Sequence, residues 1–215
     1  MLGEKQEASD MTWLFFDLGS TLIDETACER QRIQHTVAGS PVSPEEFEQA
    51  MRSFASRNEN AYNRAREHFA LPKAPWDNGL HTLETPYPGV PELLEKLSAR
   101  YSLGVIANQM AGLEERLCQF GIRKHFKVVV GSGDLGISKP DPAIFYSALE
   151  RAGCPPQDAV MVGDRLDNDI APAQKLGMTT VWVRQSYGGL GDPQLLSRQP
   201  DHIIDRIPQL ISLFY

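Results

Sequence analysis

From Tyr101 to Val183 the chain alternates short β-branched runs with helical segments, and few folds accommodate that rhythm. Tyr101–Ala107, Phe126–Val130, Ala159–Val162 and Thr179–Val183 read as strands. Leu113–Phe120, stopped by Gly121, Pro142–Ala152, stopped by Gly153, and Asn168–Leu176 read as helices. Strand-helix-strand units of this kind cross over right-handed and build a parallel sheet covered on both faces. The fold class expected is therefore α/β, a doubly wound parallel sheet. A further strand begins at Trp13 and stops at Asp17, where an apolar run gives way to a carboxylate and a Gly-Ser turn. In open parallel sheets ligands bind beyond the carboxyl ends of the strands, which is where Asp17 falls.

Between the first strand and Tyr101 the texture changes. Residues 24–85 carry few β-branched residues and many Arg, Glu, Gln and Ala, which favours helix. One helix is expected over Glu25–Val37. A second start is marked by Ser43-Pro44-Glu45-Glu46, which combines an N-cap serine, a proline at the first helical position and a capping-box glutamate. Phe47, Ala50, Met51, Phe54, Tyr62, Ala65 and Phe69 then recur at near-helical spacing, as one amphipathic helix or a broken pair. Leu71–Gly79 breaks helix. Tyr87-Pro88-Gly89 opens another helix with Val90, Leu93, Leu94 and Leu97 on one face. The simplest division is an α/β core over 11–23 and 86–215, a helical insertion over 24–85, and a lead-in over 1–10 without fixed structure.

At 215 residues the chain is long enough for a full core. Its 28 Asp and Glu against 21 Lys and Arg give a formal charge of -7, which repels a polyphosphate backbone and argues against nucleic acid as a partner. No run is apolar and long enough to span a bilayer, and the polar start lacks the apolar region of a signal peptide, so a cytoplasmic protein with no membrane partner is expected. Cys28, Cys118 and Cys154 fit neither a disulfide framework nor a zinc site.

The chemistry gathers at the strand ends. After Asp17 come Ala107-Asn108-Gln109 and then Gly163-Asp164-Arg165-Leu166-Asp167-Asn168-Asp169, a turn far more acidic than a strand-helix connection requires. Between them lies Ser138-Lys139-Pro140-Asp141-Pro142, in which Asp141 and Pro142 suit the N-cap and first position of the following helix. In a parallel sheet Asp17, Asp164 and Asp169 converge with Lys139, and so many carboxylates stay ionised together only with a cation. Oxygen ligands suit Mg²⁺. Such a site would neutralise a phosphate dianion, with Asp17 placed to attack phosphorus.

Asp17 with Thr21, the Asn108 turn, Lys139-Pro140-Asp141-Pro142 and the turn from Gly163-Asp164 to Asn168-Asp169 resemble the four motifs of the haloacid dehalogenase-like hydrolases in order and spacing, across nearly the whole chain from residue 12. The resemblance implies a Rossmann-like core with a small α-helical cap over 24–85. It implies a phosphatase acting on a small phosphorylated molecule, with Asp17 as nucleophile through an aspartyl-phosphate and Lys139 orienting it. Mg²⁺ would be held by Asp17, Asp164, the carbonyl of Gly19 and, through water, Asp169. Two departures stand out. Phosphatases of the family usually carry an acid-base Asp where this chain has Gly19, and Ser or Thr where it has Ala107; Asn108 is expected to compensate in part. General acid-base help is worth roughly 10²- to 10⁴-fold. The alternative is a binding or regulatory protein that keeps the fold and holds a phosphate state. Metal-free dehalogenation is disfavoured by the acidic turn, and phosphonate cleavage by the cap's having a single lysine, Lys73, in a Pro-rich loop. Arg32, His35, Arg57, Asn58, Asn60, Asn63, Arg64 and Arg66 are pocket candidates or a solvated helix face. Arg165 and Gln109 are candidate ligand contacts, while Trp76 and His81 are expected near a hinge. The substrate and the oligomeric state stay open.

Overall fold

Every strand of the main sheet runs the same way, and the strand carrying Asp17 lies inside it. The structure, a computed structural model, describes residues 13–73 and 80–215. The expected lead-in and Trp76 lie outside the described residues, as does the side chain of His81. In chain order the elements are β1 (Trp13–Phe16), β2 (Ile23–Asp24), α1 (Thr26–Val37), α2 (Pro44–Ala55), α3 (Ala61–His68), β3 (Thr85–Pro86), α4 (Val90–Ser98), β4 (Ser102–Ala107), α5 (Leu113–Gln119), β5 (Val128–Gly131), α6 (Ser132–Leu135), α7 (Pro142–Ala152), β6 (Ala159–Gly163), α8 (Ala171–Leu176), β7 (Thr179–Val183), β8 (His202–Ile204) and α9 (Ile211–Phe214). Six strands form the parallel sheet in the order β5-β4-β1-β6-β7-β8.

The chain lays β4 and β5 on one side of β1 and then crosses to place β6 on the other. β1 is thus the switch point, where flanking connections diverge and open a crevice. Register aligns the crevice's floor: Phe16 pairs with Val105 on β4 and with Val162 on β6, so Asp17, Asn108 and Asp164 emerge near one edge. Period-two alternation divides the core. Leu14 and Phe16 pack on one face with Leu94, Leu97 and Leu117, while Phe15 packs on the other with Ile144, Phe145 and Met161.

A third apolar cluster draws its buried residues from the insertion, with Tyr187 of the core packed against it. Ile33 and Val37 of α1, Phe47 and Met51 of α2, and Tyr62 and Ala65 of α3 pack together, so the broken-pair alternative holds for 44–68. The capping box forms in full: Ser43 Oγ accepts from Glu46 N at 3.2 Å and the Glu46 carboxylate accepts from Ser43 N at 2.8 Å. Several short elements escape the sequence patterns. The insertion is not wholly helical, because Ile23–Asp24 and Thr85–Pro86 pair antiparallel where the chain leaves and rejoins the core. β8 and α9 also go unpredicted, being only three and four residues long. The expected helix 168–176 begins instead as a wide π turn over Leu166–Ile170 and becomes α-helical at Ala171.

Candidate active site

Asp17 follows directly on β1, its N–H still bonded to the Val162 carbonyl at 2.9 Å, so the sheet itself fixes its backbone. Past it, Thr21, Leu22 and Ile23 all direct their N–H groups at the Leu18 carbonyl, which folds the chain into a tight turn with Ser20 at φ 59°. That turn brings Thr21 Oγ1 to 3.3 Å from Asp17 Oδ2 and 3.4 Å from Asp164 Oδ1.

Lys139 enters from the loop between α6 and α7. Asp141 caps α7 as expected, accepting from Ala143 N at 2.9 Å with Pro142 at the first turn. The Lys139 backbone is gripped by the Asn108 amide: Asn108 Nδ2 donates to its carbonyl at 2.9 Å, and its N–H donates to Asn108 Oδ1 at 2.8 Å. So held, the fully buried ammonium lies 2.6 Å from Asp17 Oδ1, 2.6 Å from Asp169 Oδ1 and 2.7 Å from the Ile106 carbonyl. Burial works to lower the pKa of Lys139, and Asp169 and Asp17 overcome it, leaving the ammonium above its ordinary value.

The acidic turn is shaped by glycines. A Cβ on Gly163 would lie 2.6 Å from the Cβ and Oδ2 of Asp169, and one on Gly188 would lie 2.1 Å from Asp164 Oδ2. Both carboxylates rest against bare backbone. Gly188 is a site residue that sequence reasoning missed, since a lone glycine far from the motifs carries no signal of what packs on it. Asp169 Oδ2 accepts from Arg165 N at 3.0 Å, and the Trp182 indole donates to the Asp164 carbonyl at 2.6 Å.

Asp17, Asp164 and Asp169 thus offer carboxylate oxygens within 4.8 Å of one another. Three carboxylates meet one ammonium, so two negative charges stay uncompensated in a buried place. Accordingly burial pushes the Asp164 carboxyl well above its usual range, reinforced by Asp17 and Asp169, and pushes Asp17 up against the opposing pull of Lys139. An all-oxygen set short of two positive charges fits a divalent cation.

These residues floor a cavity of about 860 Å³ whose opposite wall comes from the insertion. Glu25 and Glu29 project into it from the start of α1. Burial raises Glu25 to about 8, helped by Glu29, Glu84 and Asp17, and raises Glu29 to about 7 against the Ser186 hydroxyl and Arg32. Arg32 lines the cavity too, stacked 3.4 Å from the centroid of the Tyr62 ring.

Other candidates have different occupations. Asn58 clasps the core: its Nδ2 donates to the Asp192 carbonyl and its Oδ1 accepts from Asp192 N, both at 2.8 Å. Arg57 and Arg64 pair with Glu59, Arg66 donates to the Leu71 carbonyl, and Asn60 caps α3, while His35 is exposed. Arg165 lines the cavity but is paired with Asp167 at 2.5 Å. Gln109 lines it as well, accepting from Arg116, which also pairs with the buried Glu84 beside β3.

A doubly wound α/β protein with a lysine-bridged acidic crevice at its switch point carries the oxygen ligands that a cation needs. A family model described as haloacid dehalogenase-like hydrolase matches residues 14–183. The chain belongs to that family. It is 30% identical over 213 residues to a glyceraldehyde 3-phosphate phosphatase of Methanothermobacter thermautotrophicus, covering 88% of this chain and 89% of the relative. A glyceraldehyde 3-phosphate phosphatase of Methanopyrus kandleri is 38% identical over 130 residues, which span 60% of this chain and 56% of that one. Among solved structures, a phosphatase of the family from Thermococcus onnurineus superposes with a TM-score of 0.66 at 25% identity, covering 95% and 98% of the two chains. Among the described residues no helix is long and apolar enough to cross a membrane.

Proposed function

We propose that this protein is a Mg²⁺-dependent phosphatase that hydrolyses a small phosphate monoester through an aspartyl-phosphate on Asp17. The observation that carries it is the Asp17 carboxylate at the switch point, 2.6 Å from the Lys139 ammonium and beside the acidic pair Asp164 and Asp169. Similarity to named phosphatases over most of the chain supports the same class.

Asp17, Asp164 and the Gly19 carbonyl would hold the ion, with Asp169 reaching it through water; when bound, Mg²⁺ supplies charge neutralisation for the phosphoryl oxygens. Lys139 holds Asp17 in one rotamer with an oxygen directed at the substrate, and neutralises it until attack. Asn108, with both amide atoms on the Lys139 backbone, fixes that lysine. Thr21 bridges Asp17 and Asp164. Residues 24–85 act as a cap over the core formed by 11–23 and 86–215, closing the cavity and choosing the leaving group. The cluster of buried apolar residues they form among themselves and the two-strand junction at Ile23–Asp24 and Thr85–Pro86 support that division.

The test is hydrolysis of p-nitrophenyl phosphate by the purified protein with and without Mg²⁺, beside Asp17→Asn. Metal-dependent turnover that disappears in the variant is expected. Failure of the folded wild type to turn over any ester, with metal bound, would move the assignment to a binding or regulatory protein.

A further inference from the structure

Breaking an alkyl phosphate ester needs a proton donor beside the leaving oxygen, because an alkoxide is a poor leaving group. Around Asp17 most acidic groups are engaged. Asp164 and Asp169 sit in the charged cluster, Asp167 is paired with Arg165, and Glu59 with Arg57 and Arg64. Tyr62 shares a 2.8 Å hydrogen bond with Thr36. Glu25 is placed differently. A side chain growing from Gly19, two residues past Asp17, would meet Glu25 Oε2 at 2.5 Å, Oε1 at 2.6 Å and Cδ at 2.7 Å, so the Glu25 carboxyl fills the side-chain space of residue 19. It faces the same cavity as Asp17 and accepts one hydrogen bond at 3.2 Å from Ser20 Oγ, which orients it from behind.

We propose that Glu25, reaching back from the start of the cap, is the proton donor and acceptor of this site, standing through space where residue 19 has no side chain. The inference rests on the phosphatase assignment. As Asp17 forms its bond to phosphorus, the Glu25 carboxyl gives its proton to the bridging ester oxygen, the P–O bond breaks and a neutral alcohol leaves. The Glu25 carboxylate then takes a proton from water as the water oxygen bonds to phosphorus. The bond between phosphorus and Asp17 breaks, phosphate leaves, and both carboxyl groups return to their starting states. Because Glu25 sits at the junction of core and cap, the donor is delivered by cap placement.

The experiment compares an aryl ester, p-nitrophenyl phosphate, with an alkyl ester, β-glycerophosphate, in the full chain with Mg²⁺. Glu25→Gln keeps shape and hydrogen bonding but cannot donate a carboxyl proton. It is expected to lose roughly 10²- to 10⁴-fold on the alkyl ester and less than about tenfold on the aryl ester. Gly19→Asp alone must displace Glu25, whereas Gly19→Asp with Glu25→Ala puts a carboxyl into the vacated space and is expected to recover the alkyl-to-aryl ratio at least tenfold relative to Glu25→Ala. An unchanged ratio in Glu25→Gln, whether both rates fall together or neither falls, overturns the role of Glu25 and leaves the phosphatase assignment standing. A wild type that cleaves neither ester overturns both.

Discussion

The two walls of the cavity neutralise their charge by different means. On the core wall Asp17 and Asp169 converge on one ammonium, whose backbone is itself clasped by Asn108. On the wall from the insertion, the proposed cap, Glu25 and Glu29 have hydroxyls for hydrogen-bond partners, Ser20 and Ser186, and burial lifts both carboxyls toward neutrality. A fixed charge lattice suits a reaction centre, where the transition state must find its partners already in place. A wall of carboxyls that gain or lose a proton near neutral pH suits contact with a leaving group. The difference sets how each wall answers to substitution.

The largest effect should come from the proposed nucleophile on the core wall. Asp17→Asn keeps the shape and removes a negative charge from a crowded acidic cluster, so the fold should hold or gain stability while turnover falls by at least about 10⁴-fold. Steady-state rates beside a thermal melt check both halves. A variant that loses fold and activity together would make Asp17 a structural residue.

Lys139→Met should break the same wall from the other side. The ammonium is the protein's own counter-charge for two buried carboxylates, and removing one partner of a buried pair costs about 3–5 kcal/mol. The loss should shrink at acid pH, where Asp17, whose carboxyl burial pushes up, can be protonated, and denaturant unfolding at two pH values measures it. A uniform loss across pH would mean that Lys139 contributes packing rather than charge.

The core wall was readable in the sequence and the cap wall was not, for a physical reason. A parallel sheet fixes where strand ends fall, so Asp17, Asn108 and Asp164 could be brought together from the alternation of elements, and Asp141-Pro142 marked a helix start that aims Lys139 inward. Helix faces fix much less. Glu25 and Glu29 recur four residues apart on an acidic helix start, a pattern shared with any solvated helix. Asn58 looked like a pocket residue because its amide suits a ligand as well as a backbone, and only the fold shows Asp192 occupying it. β8 and α9 were missed because three or four residues hold too few turns of any pattern.

The join between the walls is expected to be weaker. Asn58 sits at φ 59° and gives both amide atoms to Asp192, so it clips the turn after α2 to the loop carrying Gly188, which cradles Asp164. Asn58→Gly keeps the backbone freedom and removes the clip, costing about 1–3 kcal/mol through the Asp192 groups left unpaired. KM should rise more than kcat falls, because the charge lattice is untouched while the cap seats less firmly. An equal fall in kcat would show that the loop of Gly188 positions Asp164 directly and that the two walls are one unit.

The smallest effect is a slope. Glu29 has a folded pKa of about 7 against an ordinary 4.5, so between those values the unfolded chain gives up a proton that the folded chain keeps. The folded state then binds more protons, and stability contributed below about pH 4.5 is lost as pH rises to about 7. One proton changes stability by at most about 1.4 kcal/mol per pH unit. Glu29→Gln removes this term, and urea unfolding of wild type and variant at pH 5 and pH 7.5 should show the variant gaining on the wild type at the higher value. Equal slopes would mean that Glu29 is ionised in the folded protein through its contact with Arg32, and the cap wall would then be a charge lattice like the core.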